Sequence, residues 1–571
     1  MPKAKRPDKE AVSRAIKLAR TLRQTQHQMA THAHEAALDD LTSALDRLDS
    51  TLTMTLATTD DQQPTRISGD LAQAEQVFHG LVGPSPDVVF RRFWIGTRRP
   101  GLLVFVDGLV DNEMIDQDIV QRLEDASDIS QTSPKQLGAL AYDRLITVGH
   151  VTTTSSWPSV VSKVMTGNTA VFVQGLPRAF VVDTVKYPAR TVPSTKIEPA
   201  IKGPQEAFNE VGLTHMNQLR RWLRSPRLHF DSHTVGKISQ TPVYVAYLDG
   251  VVNRELLSRI TDRVDRIERD VVTRANDVAE YLSDRRLAVF PQFRLSDRVD
   301  WVARELGQGK VAILVENDPF AILMPMTLVD FYKTSQDYSF STWDSTLIRL
   351  IRLAGLLAGL YLMPLYIALT SVNVDLMPTP LLLTIDGSRQ GIPFPPVVEV
   401  MIMYLIIEIL REAANRLPQQ LGVTLGTVGA VVVGTAIVKA GIVDDVMIVS
   451  ATLTALGLFT TPAFEMTTPW RWLFWVMILG AYLLGIFGIL LVTVGIVAYL
   501  AGMESFGTPY LTPFGPLQMS GWADSIMRWP IPLLQRRPED LRPVHRRKAE
   551  PVPTPKPFRL GPRNSKGSTK S

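Results

Sequence analysis

The distribution of charge limits most strongly how this chain can fold. Lys and Arg number 60 and Asp and Glu 56 in 571 residues, yet residues 353–503 carry few of them and run through long apolar stretches. A soluble part followed by a membrane part is the reading this division supports, since about 20 apolar residues suffice to cross a hydrocarbon core of about 30 Å. A chain of this length predicts two to four domains. There are no cysteines, which excludes disulfides, thiolate metal sites and cysteine nucleophiles. The N-terminal stretch MPKAKRPDKEAV has no apolar h-region, so no cleaved signal peptide is expected and an internal segment directs membrane insertion.

Residues 1–85 read as a helical N-terminal extension and linker. Leu38, Leu41, Leu45, Leu48 and Leu52 recur at helical spacing, which predicts a helix over 35–54, and TTDDQQPTRISGD has linker composition. His27, His32 and His34 are weighed as metal ligands and assigned instead to a solvated polar helix, because no second pair of ligands lies nearby.

An internal duplication follows. VFVDGLVDNEMI (104–115) recurs as AYLDGVVNRELL (246–257), a spacing of 142 residues. Each copy predicts a buried strand ending at Asp107-Gly108 or Asp249-Gly250, a turn, and a helix capped by Asp111 or Asn253 with Glu113 or Glu255 in its first turn. A ligand role for the paired aspartates is weighed against turn duty, and turn duty is preferred, because Asp before Gly is common turn chemistry. Further strands are expected at 170–173, 179–185, 287–291 and 311–315, and a helix starting at Gly203-Pro204. The expected fold class is an α/β soluble region of two related subdomains, 86–200 and 201–345, followed by an all-α polytopic membrane domain, 346–515, and a basic Pro-rich tail, 516–571.

Four spans are expected, at 353–372, 422–442, 446–461 and 473–503. Pro364 predicts a kink in the first, and the last exceeds the bilayer core, so it must tilt, bend or project. Arg349 and Arg352 flank the first span, and Arg536, Arg537, Arg542, Arg546, Arg547 and Lys548 follow the last, which places both termini in the cytoplasm. The run VVEVMIMYLIIEIL (397–410) is then excluded as a crossing, because it is short and holds Glu399 and Glu408. A non-spanning helix over 397–416 is expected, lying in the interface or entering and leaving on one side.

On a helical wheel Glu408, Arg411, Glu412 and Asn415 share a face, with Glu399 nearly opposite. Glu399, Glu408, Arg411 and Glu412 are candidates for an ion pathway or its gate, Arg411 neutralising Glu408 in the closed state. The competing reading is a surface helix with an i,i+3 ion pair. Gly422, Gly426, Ala430 and Gly434 form a small-residue stripe that suits helix packing within the subunit or around a symmetric pore. Lys439 reads as a snorkelling residue. No phosphate loop, nucleophile-and-base pair or metal cluster emerges, so neither an enzyme nor a cofactor is expected.

A family resemblance rests on DVVFRRFWIG, VFVDGLVDNEMIDQDIV, GNTAVFVQGLPRAF, IKGPQEAFNE, DVAEYL with AVFPQ, GKVAILVENDPFAILMP, PLYIALTSVN, PTPLLLTIDGSRQGIPFPPVVE, EILREAANRLPQQLG, GIV and FGTPYLTPFGPL, in family order over about residues 87–517. In these stretches the chain resembles the A-subunit (GerA) family of bacterial spore germination receptors. The resemblance implies a multi-pass protein of the spore inner membrane, embedded in the lipid bilayer and acting with a permease-like B subunit and a lipoprotein C subunit. It further implies a response to nutrients and a homo-oligomer forming a ligand-gated ion channel, with no nucleic-acid partner. Two alternatives remain: a non-conducting scaffold and signalling subunit, and a paralogous component for late ion or dipicolinate release.

Overall fold

The computed structural model describes residues 66–83, 85–96, 99–125, 150–186, 200–416 and 434–548, with positions 139, 142, 195 and 198 in isolation. The predicted helix over 35–54 and the three histidines beside it lie outside these residues. The first helix, α1 (Leu71–Val82), is capped by Asp70, whose carboxylate accepts from the Ala72 amide at 3.3 Å. Its Leu71, Ala74, Phe78 and Val82 fall on one buried face. Residues 71–82 therefore belong to the first subdomain and not to the linker in which the sequence boundary placed them.

Strands β1 (Val88–Ile95), β2 (Arg99–Val106), β3 (Val151–Thr154), β4 (Thr169–Val173) and β5 (Ala179–Val182) make a sheet of order β1-β2-β4-β5-β3. Strands β6 (Leu228–Val235), β7 (Thr241–Leu248), β8 (Arg294–Ser296), β9 (Val311–Val315) and β10 (Ala321–Met324) repeat it as β6-β7-β9-β10-β8. Every ladder in both sheets is antiparallel, so the subdomains mix helix and strand without the parallel crossovers of an α/β fold.

Both faces of each sheet are covered by helices. In β2, Leu103 and Phe105 pack against the helical turns of residues 112–124 (α2), while Leu102 and Val104 join α1 and α3 (Trp157–Val164) on the other face. In the second subdomain Val243 and Val245 meet α5 (Arg254–Asp265) and α6 (Ala275–Leu282). Ala246 and Leu248 share the opposite core with α4 (Gly212–Trp222) and α7 (Val299–Gln308).

The duplicated unit has the same local geometry in both copies. β2 and β7 end one residue before Asp107 and Asp249, and Gly108 and Gly250 take φ of 76° and 75°, values that favour glycine. Asp111 then accepts from the Met114 amide and Asn253 from the Glu255 amide. Two sequence expectations in this region fail. No helix starts at Pro204; its carbonyl instead accepts from the buried Arg298, and α4 begins at Gly212. No strand forms at 287–291, where the chain turns before the short β8, because Phe290 points into the aromatic cluster of Trp470 and Tyr510.

The helical part begins with α8 (Thr342–Ile367), extended by a π-turn to Val372. It continues through α9 (Thr379–Arg389), α10 (Pro396–Arg416), α11 (Gly434–Lys439), α12 (Asp445–Phe459), α13 (Thr467–Leu484) and α14 (Ile486–Ala501). Among the described residues one helix, Thr342–Val372, is long and apolar enough to cross a membrane; Asp445–Phe459 and Ile486–Ala501 are shorter apolar helices. The segment read as a Pro-rich loop holds α9, which a proline at its first turn can open.

The run 473–503 is not a single helix. Gly485, with φ 60° and ψ −136°, breaks it into α13 and α14, which fold back on each other. A Cβ on Gly488 would lie 1.9 Å from the Gly480 carbonyl oxygen, so glycine permits this close approach. The 31-residue length was the sequence sign that one straight helix would not fit, and the chain resolves it by reversing.

Helix contacts orient the bundle. Gly355 and Gly359 of α8 meet Thr460 and Leu458 at the end of α12, whereas Tyr366 meets Asp444 at its start, so the two helices are antiparallel. Tyr361 hydroxyl lies 3.0 Å from that of Thr493, and Asn373 accepts from the Ile486 amide at 2.9 Å, so α14 runs back along α8. The bundle thus has a proximal end beside the second subdomain and a distal end at Tyr366, Asn373 and Gly485. Exposed Leu357, Leu405, Leu453, Leu479 and Leu490 give five of its helices an apolar outer surface.

Candidate functional site: the two ends of helix α10

Helix α10 packs along the bundle, with one face against its neighbours and Met401, Leu405 and Ile409 exposed on the other. Glu399 sits beside Asp444 at the distal end, Tyr404 stacks on Phe474 of α13 at 4.1 Å, and the Arg411 guanidinium is 5.2 Å from the Phe459 ring at the proximal end. The helix contacts α8, α12 and α13 along its length instead of standing apart from them. Its carboxylates can enter an apolar bundle because arginines from other elements meet them there.

At the distal end Glu399 is fully buried. Arg389 of α9 holds one oxygen at 3.0 Å and the Asp444 amide donates to the other at 3.2 Å. Asp444 caps α12 through the Met447 amide and accepts from the Tyr366 hydroxyl at 2.9 Å, and Arg389 also donates to that hydroxyl at 3.0 Å. One carboxylate therefore joins α8, α9, α10 and the start of α12. At the proximal end Glu408 takes Arg411 on one oxygen at 2.9 Å and Arg471 of α13 on the other at 2.6 Å. Nine residues of helix separate the two glutamates, about 13.5 Å along the axis. Glu412 is exposed. Of the small-residue stripe, Gly422, Gly426 and Ala430 lie outside the described residues and Gly434 opens α11.

Sequence reasoning paired Glu408 with Arg411 alone and gave Glu399 no partner. Arg471 lies in the turn WRW that opens α13, and Arg389 in a stretch read as loop; neither spacing points to α10. Of Arg349 and Arg352, read as flanking charges, Arg349 is buried and Arg352 half-buried. Asp337 accepts from Arg349 at 3.1 Å and from Arg352 at 2.7 Å, and Asp524 of the segment after α14 accepts from Arg349 at 3.1 Å. Burial alone would raise the Asp337 carboxyl; Arg352 and Arg349 outweigh it and hold it below the ordinary carboxylate range. The loop between α12 and α13 reaches the second sheet, where Glu465 accepts from the Leu295 amide of β8 at 2.7 Å. The proximal end of the bundle is thus tied to the soluble part by charged, buried contacts, and such pairs are costly to half-remove.

A family model described as Bacillus/Clostridium GerA spore germination protein matches residues 76–540. The chain belongs to this GerA family. Spore germination protein GerLA of Bacillus cereus is 30% identical over 478 residues, which cover 83% of this chain and 96% of that protein. A Bacillus subtilis (strain 168) relative described as the uncharacterized membrane protein YfkQ is 31% identical over 483 residues, 84% of this chain and 93% of its own. A crystal structure of the N-terminal domain of the A subunit of the Bacillus megaterium spore germinant receptor GerK3 aligns at 24% identity and a TM-score of 0.37, covering 45% of this chain and 95% of that one. GerA membership makes this chain a spore germination receptor A subunit, and the description of one relative points to membrane association.

Proposed function

We propose that this A subunit responds to nutrients in the spore inner membrane and that copies of it assemble around an ion route to which α10 contributes. A permease-like B subunit and a lipoprotein C subunit complete the receptor. The observation that carries the reading is α10 itself: a helix within an apolar bundle that presents one carboxylate in its first turn and a second nine residues on, each held by arginine from another helix. Such charges in a membrane mark ion or proton pathways or their gates. Re-pairing of Arg389, Arg411 or Arg471 on a movement of α10 would expose Glu399 or Glu408 to a cation.

The antiparallel packing of the bundle supports a topology other than the four spans expected from the sequence. In this reading α8, α10, the apolar run 422–442 expected from the sequence, α12, α13 and α14 would each cross, six crossings in all, and an even number keeps both termini on the cytoplasmic, spore-core side. Germination assays on spores carrying Glu399→Gln or Glu408→Gln, with protein level followed by immunoblot, test the role of α10. An altered nutrient response at normal protein level is expected; a normal response in both variants removes α10 from the mechanism.

A further inference from the structure

We infer that residues 514–535, the segment following the bundle, form an apolar foot that lies in the headgroup layer of the bilayer on the side of the soluble subdomains, beside anionic lipid. The inference rests on the membrane reading above and adds a contact surface outside the bundle.

The segment has two charged side chains, Asp524 and Arg528, and both are turned inward. Asp524 accepts from Tyr338 at 2.8 Å and from Arg349 at 3.1 Å. Arg528, 4% exposed, donates to the carbonyls of Asp337 and Phe340 at 2.7 and 2.8 Å and to the Ser345 hydroxyl at 3.1 Å. These bonds clamp the segment against the first turns of α8. Its outer face then carries Leu517, Met519, Trp522, Trp529, Ile531 and Leu533, from 41% to 75% exposed, with no charge among them. Tryptophan beside aliphatic side chains, with every charge withdrawn, is the composition of a bilayer interface.

Depth along α8 agrees. Thr342–Val372 is 31 residues, about 46 Å of helix, against a core of about 30 Å. Measured back from Val372, the core ends near Leu353, so the turns that hold the foot fall in the headgroup layer. Trp343, Leu347 and Ile351 are exposed there and join the foot to the apolar surface of the bundle. Directly after the foot come the exposed Arg536, Arg542, Arg546 and Arg547, a sign that suits anionic headgroups. A protein partner would cover the same apolar face but gives no reason for its continuity with the bundle surface or for the arginines behind it.

The cysteine-free chain permits a direct test. Single cysteines replacing Leu517, Met519 or Ile531 are labelled with an environment-sensitive fluorophore, and the full chain is reconstituted in vesicles of phosphatidylcholine and phosphatidylglycerol containing a lipid spin-labelled near the headgroup. Leu490→Cys on the bundle surface and Ile238→Cys, on an exposed loop of the second subdomain, serve as references. Emission at the foot should fall by about half, as for a side chain at the acyl boundary, while the Ile238 probe stays unquenched. If the Leu490 probe is not quenched, the membrane reading itself fails. If Leu490 is quenched and the three foot probes are not, the inference is overturned, and so it is if those probes become shielded only when a partner subunit is added. Unchanged quenching in phosphatidylcholine alone overturns the anionic preference.

Discussion

Removing the two arginines that share Glu408 should have an effect larger than the sum of removing each. Glu408 is 14% exposed and takes one arginine on each oxygen. Arg411→Ala leaves the Arg471 pair at 2.6 Å in place, so the loss is that of one charge-assisted bond, about 1–3 kcal/mol. Arg471 is 46% exposed, and its loss alone should cost about 1 kcal/mol or less. The double variant leaves a carboxylate in an apolar bundle with neither cation, about 3–5 kcal/mol.

If the pairs belong to the resting arrangement, the double variant shifts the resting equilibrium by about two to almost four orders of magnitude. The sequence pairs Glu408 with Arg411 alone; the second arginine, Arg471, moves the strong phenotype to the double variant. Germination without nutrient, scored in spores with equal protein by immunoblot, reads the shift, and thermal unfolding of the purified chain reads the stability. Additive effects, or a double variant no different from Arg411→Ala, would refute this account of Glu408.

Arg220, 1% exposed, donates to both oxygens of the buried Asp87, to Ser85 and to the Leu228 carbonyl; Arg220→Met should cost the soluble part, residues 66–340, about 3–5 kcal/mol in urea unfolding, with most of it restored by adding Asp87→Leu. His215 is pushed down from 6.5 to about 4 by burial, so the unfolded chain binds the extra proton first as pH falls. Stability of the same fragment should be full above pH 6.5 and decline by at most about 3 kcal/mol towards pH 4, and His215→Asn should flatten that decline. In the six-crossing arrangement a cysteine replacing Leu484 sits at the tip of the α13–α14 reversal and should be labelled by an impermeant maleimide from the face opposite to a cysteine replacing Arg547. Labelling of neither, or of both from one face, counts against the reversal spanning the membrane.

The local features were legible and the long-range ones were not. Asp107-Gly108 and Asp249-Gly250 announce their turns, and Asp111 and Asn253 their caps, because these conformations are decided within a few residues. The i,i+3 pair of Glu408 and Arg411 is local in the same sense. Strand order depends on partners brought from far along the chain, such as β2 with β4, and composition cannot distinguish antiparallel from parallel pairing there. Arg389 and Arg471 reach α10 only through tertiary packing. Hydropathy is blind to the reversal at Gly485, since both arms are apolar; the glycines at 480, 485 and 488 were the available signal. Pro204 misled because Pro is as much at home in an extended connection as at a helix start.

Ion flux through the purified chain in liposomes tests the central claim most directly. With insertion confirmed by quenching of the Leu490 probe, and with the partner subunits and nutrient supplied, the account predicts cation flux above that of empty liposomes. Glu399→Gln and Glu408→Gln should each change that flux by about tenfold, because each removes a full charge from a low-dielectric route. Inserted, assembled protein that passes no more ions than empty liposomes, or flux indifferent to both substitutions, would contradict it.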